Sequence, residues 1–127
     1  MPDPEYRHTR APDPEAMAAT CIRYVELIAA GDVDGVVALY AEDGTVEDPV
    51  GNEPSIGIAA IEAFYRGTIP DEGVPVSRTG PVRVSGHEAA FPFEVRYGDD
   101  FVLPIIDVMA FADNGKIVSM RAFWSID

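Results

Sequence analysis

The hydrophobic period of this chain changes once, near Pro75, and that change restricts the fold more than any other feature. Before it, Met17, Cys21, Tyr24, Val25 and Ile28 recur at spacings that put them on one face of a helix. Asp13-Pro14 reads as an N-cap followed by the first helical position, and Gly31 as the stop. Asp32 then caps a short second helix carrying Val36, Val37 and Tyr40. A third helix is expected from about Gly57 to Arg66, with Ile61, Phe64 and Tyr65 as its apolar positions.

After Pro75 the period is two. Phe91, Phe93, Val95 and Tyr97 alternate with Pro92, Glu94 and Arg96, Gly98-Asp99-Asp100 forms a turn, and Phe101 to Phe111 is the next strand. Asp113-Asn114-Gly115 signals a tight primed hairpin turn, and Ile117 to Trp124 closes the sheet. Helices first and a sheet afterwards make an α+β chain. The expected architecture is a cone: a curved antiparallel or mixed sheet wrapped around a long N-terminal helix, with two further helices and a pocket between the layers. At 127 residues one domain is expected, over residues 13–127, with residues 1–12 as a polar, Pro-rich arm.

Composition narrows the partners. Nine Lys and Arg against 22 Asp and Glu leave a net charge of −13, which repels phosphate backbones and anionic lipid, so neither nucleic acid nor a membrane surface is expected. One cysteine, Cys21, excludes an internal disulfide framework, and with only His8 and His87 no metal site is expected. No apolar run spans a bilayer or forms a signal segment, so a cytoplasmic protein is expected. Nucleophilic catalysis lacks a Gly-x-Ser-x-Gly elbow, and no dinucleotide or phosphate-loop fingerprint occurs.

Asp107 is the only ionisable side chain in the strand FVLPIIDVMAF, residues 101–111. It shares a face with Phe101, Leu103, Ile105, Met109 and Phe111, where a carboxyl loses hydration and tends to keep its proton. It is then either a hydrogen-bond donor for a substrate oxygen or a structural acid held by a backbone N–H or a buried Arg. Asp48 closes TVEDP on the same side as Val46, and is either an inward general base or an ordinary turn residue before Pro49. Tyr24, Tyr40 and Tyr65 lie on apolar helix faces, either as core packing or as a hydrogen-bonded chain of phenols.

The segments RYVEL, LYAEDGTVEDPVG, AFYR, TGPVR, FPFEV, IIDVMAF and AFWS, taken in order, resemble bacterial Δ5-3-ketosteroid isomerases of the nuclear transport factor 2-like superfamily. The resemblance runs from about residue 14 to the end. It implies Asp48 as general base, with Tyr24 and a protonated Asp107 as oxyanion-hole donors. Tyr40 and Tyr65 would support the first phenol and, with Val46, Phe93, Val95, Met120 and Trp124, would contact substrate. It also implies a steroid substrate, no cofactor and a homodimer formed through the outer sheet face. Pro104 and Tyr97 depart from the usual pattern, the first near the oxyanion hole and the second at the cavity mouth. The alternatives are another enzyme on the same cone, such as a cyclase or dehydratase, a non-catalytic steroid or lipid carrier, or a dimerisation module.

Overall fold

The computed structural model describes residues 12–126, so the expected N-terminal arm lies almost wholly outside the described residues. Helix α1 (Pro14–Ala30) is followed by α2 (Val33–Val37), β1 (Tyr40–Glu47), β2 (Ser55–Ile56) and α3 (Ile58–Thr68). The second half is β3 (Val76–Arg78), β4 (Arg83–Ser85), β5 (Glu88–Tyr97), β6 (Phe101–Phe111) and β7 (Ile117–Phe123). The seven strands form one sheet in the order β2-β1-β7-β6-β5-β3, with β4 also paired to β5.

The α1 boundaries follow the sequence signals. Pro14 occupies the first turn, where its missing N–H costs nothing, while Asp13 caps through its backbone carbonyl rather than its side chain. Met17, Cys21, Tyr24, Leu27 and Ile28 are the buried stripe, with Val25 at its edge. Gly31 ends the helix in the left-handed region, donating its N–H to the Ile28 carbonyl as Asp32 donates to that of Leu27. The turn at Gly73 packs directly on this helix end. A Cβ at Gly73 would collide with the Ala29 carbonyl, and φ there is +81°. Gly73→Ala is therefore expected to cost about 1–3 kcal/mol from backbone conformation alone, with the collision adding to it. A lowered midpoint in denaturant-induced unfolding checks this.

Alternation in β6 matches the expected face: Leu103, Ile105, Asp107, Met109 and Phe111 are buried, whereas Pro104 and Ile106 are exposed. On β5, Ala89, Phe91, Phe93 and Val95 point the same way, and ten consecutive residue pairs join the two strands.

Three local expectations are corrected. Tyr40 begins β1 instead of ending α2; β1 runs parallel to β7, which makes the sheet the mixed one of the two expected kinds. The strand follows α2 almost directly, and the exposed pair Glu42-Asp43 interrupts its period-two pattern. The 113–115 turn is not of the primed type. Only Gly115 has positive φ, Gly115 N–H donates to the Ala112 carbonyl, and the register shifts at Ala110/Phe111. A longer loop with glycine at a bulge accommodates the strand twist in place of two left-handed residues. Finally, β7 ends at Phe123, one residue before Trp124.

Candidate active site

The helices and the concave face of the sheet enclose a cavity of about 450 Å³, within the range of roughly 300–1,000 Å³ typical of small-molecule sites. Its wall is largely apolar, with Val25 and Ile28 from α1, Phe64 from α3, Phe93 and Val95 from β5, and Leu103 and Ile105 from β6. Into it project Tyr24, Tyr65, Asp48, Asp107 and Trp124. Residues 83 positions apart in sequence thus share one chamber, because α1 packs against β3, β4 and β5, and β5 pairs with β6.

Asp107 is 1% exposed, and neither carboxylate oxygen has a hydrogen-bond partner among the described residues. Among the described residues, no backbone N–H or arginine satisfies it. Desolvation pushes its pKa well above the ordinary carboxylate value, and the negative charge of Asp48 adds to the shift. When protonated, a carboxyl in this position could donate to an acceptor in the cavity.

Asp48 follows directly on β1 and is half-buried. The Trp124 indole N–H donates to its Oδ1 at 2.6 Å. Burial raises its pKa, but that hydrogen bond favours the ionised form and opposes the rise. Two acids in one cavity therefore differ in environment: one accepts a strong hydrogen bond and borders solvent, the other has neither support.

The three phenols form a chain. Tyr24 and Tyr65 hydroxyls are 2.9 Å apart, and those of Tyr65 and Tyr40 are 2.6 Å apart. Each phenol has one hydrogen to give. For Tyr24 to donate into the cavity, Tyr65 donates to Tyr24 and Tyr40 donates to Tyr65, and polarisation along the chain strengthens the last donor. Burial raises the pKa of all three, so they remain protonated.

Of the residues expected to contact substrate, Tyr65, Phe93, Val95 and Trp124 line the cavity. Tyr40, Val46 and Met120 do not. They are buried in the core behind its wall, where Val46 pairs with Met120 across β1 and β7. Strand parity gives Val46 an inward direction but not depth, which depends on how the sheet curves. Sequence reading missed Ile69, Val74 and Val76 on the loop side and Ile126 at the rim. The Val-Pro-Val alternation at 74–76 was the available signal for two of these, and Ile126 had none. Cys21 is buried beside Met109, and its thiol is pushed up to about 12, chiefly by burial.

Three helices against a curved, unclosed mixed sheet define the nuclear transport factor 2-like cone. The SnoaL-like domain family matches residues 22–120, and the chain belongs to that family. A steroid Delta-isomerase from Nocardioides simplex is 44% identical over 110 residues, covering 84% of this chain and 88% of that protein. The epoxide hydrolase LasB of Streptomyces lasalocidi is 28% identical over 117 residues, covering 83% of this chain but 40% of that protein. Among solved structures, SalBIII, an epoxide hydrolase/cyclase-like enzyme with a role in pyran ring formation in the polyether salinomycin, has a TM-score of 0.80 at 26% identity. That match covers 90% of this chain and 94% of the other. No helix among the described residues is long and apolar enough to cross a membrane.

Proposed function

We propose that this protein is a cofactor-independent steroid Δ5-isomerase, which moves the double bond of a 3-oxo-Δ5-steroid into conjugation with the carbonyl. The observation that carries the reading is the unpartnered Asp107 carboxyl beside Tyr24 in an apolar cavity that also holds Asp48. Asp48 removes a proton from the carbon between the carbonyl and the double bond. Tyr24 and neutral Asp107 donate hydrogen bonds to the dienolate oxygen as its charge develops. Asp48 then returns the proton at the far end of the conjugated system, so no redox partner is consumed. Fixed donors in a dry site need no reorganisation as the charge forms. The likeness to a steroid Delta-isomerase supports the substrate class. A homodimer through the outer sheet face, where Ile106 and Phe123 are exposed, belongs to the same reading. The test is to mix purified protein with a 3-oxo-Δ5-steroid and follow the ultraviolet absorbance of the conjugated enone. No enone above the uncatalysed rate would exclude isomerase activity on that substrate.

A second reading rests on the epoxide hydrolase likenesses. A carboxylate opposite two donors also suits opening of an epoxide, with Asp48 activating the attacking oxygen. Turnover of an apolar epoxide, without enone formation, would favour it.

Asp107→Leu separates catalytic from structural importance. The substitution removes a buried polar group without partners, so stability at neutral pH is expected to rise by about 1–3 kcal/mol, while turnover falls about 10²–10³-fold. The pH dependence has a definite sign. Below about pH 3.9, the ordinary Asp pKa, folded and unfolded chains both hold this proton. Above it the unfolded chain releases the proton and the folded chain keeps it, so Asp107 makes stability fall as pH rises toward its native pKa. The leucine variant should therefore show a flatter decline in thermal or denaturant midpoint over that window.

A further inference from the structure

Tyr97 and Phe101 face each other as the last residue pair of the β5–β6 hairpin. Their rings stack, with centroids 6.0 Å apart and planes 29° apart. Both line the cavity, yet they are 52% and 41% exposed, against 1% for Asp107 at the inner end of the same strand face. A stacked aromatic pair exposed at a cavity mouth offers apolar area that a bound ligand would cover. Six residues of strand separate Phe101 from Asp107, which at about 3.3–3.4 Å per residue is close to 20 Å. A rigid apolar ligand held at Asp107 must therefore be long to reach the pair.

We infer that the Tyr97–Phe101 stack is a distal binding platform, which makes this site prefer an extended, fused-ring substrate over a short one carrying the same reacting group. The inference rests on the isomerase reading for its reacting end, and it names residues that determine specificity rather than chemistry. The contact is assigned to the Tyr97 ring rather than its hydroxyl because the ring already pairs with Phe101 as one aromatic surface in the cavity lining.

The test compares a tetracyclic 3-oxo-Δ5-steroid with a bicyclic β,γ-unsaturated ketone that ends before the mouth. In Tyr97→Ala, the ratio of kcat/KM for the long substrate to that for the short one should fall about tenfold, mainly through KM of the long substrate. Tyr97→Phe should keep the wild-type ratio. An unchanged ratio in the alanine variant, or an equal fall in the phenylalanine variant, would overturn the platform. Because Tyr97 is half exposed at a hairpin end, both variants should fold, which circular dichroism checks. A second measurement needs no turnover. Trp124 is the only tryptophan and lines the cavity, so its fluorescence reports binding of a conjugated 3-keto steroid. Weaker binding to Tyr97→Ala in a protein with no isomerase activity would support the platform and refute the isomerase reading. Isomerase activity with equal steroid binding by wild type and Tyr97→Ala would do the reverse.

Discussion

Asp48→Asn is expected to lower kcat by about 10²–10⁴-fold, the usual worth of a positioned general base, with steroid binding retained. The amide is nearly the same shape and can still accept from the Trp124 indole N–H, so the cavity should keep its form. It has no basic lone pair with which to take a proton from carbon. Trp124 fluorescence titration gives the binding arm, and enone absorbance the turnover arm. Wild-type turnover in this variant would remove Asp48 from the chemistry. The wild-type enzyme should also lose activity as pH falls through the Asp48 pKa, which burial sets above the ordinary carboxylate value. In the proposed mechanism ionised Asp48 is the active form, so that acid limb should begin at a higher pH than for an exposed aspartate.

Tyr24→Phe is expected to reduce kcat by about 10²–10³-fold, the range found when one oxyanion donor is removed, which corresponds to roughly 2.7–4 kcal/mol of transition-state stabilisation. The ring and its packing remain, so KM should change little and circular dichroism should be unaltered. Equal falls in kcat and kcat/KM would mark an interaction made only in the transition state. Tyr65→Phe should cost less, because Tyr24 keeps its own hydrogen and loses only the polarisation passed along from Tyr65 and Tyr40. A Tyr24→Phe variant with wild-type turnover would leave Asp107 as the sole donor and sink the paired-donor mechanism.

Much of the fold is legible in local pattern. The α1 face and its Gly31 stop, the alternation of β5 and β6, and the inward direction of Asp107 depend on periods of 3.6 and two, which any reader of the chain can apply. Less legible was β1. Its parallel pairing with β7 joins Val46 to Met120, residues 74 positions apart, and no local signal specifies such a partner. The same pairing carries Val46 and Met120 behind the cavity wall, although period alone places Val46 on the correct side of the sheet.

Residue order by itself determined which side chains face inward, because backbone geometry converts spacing directly into direction. Only the assembled chain decided what each inward group meets. Asp107 was left without a partner among the described residues, Asp48 received the Trp124 indole, and Tyr24 became the cavity end of a three-phenol chain. Those outcomes depend on sheet curvature and on contacts between distant segments, and so does the proton each acid keeps or gives up. Desolvation and hydrogen bonding act through three-dimensional surroundings, which spacing along a chain does not contain.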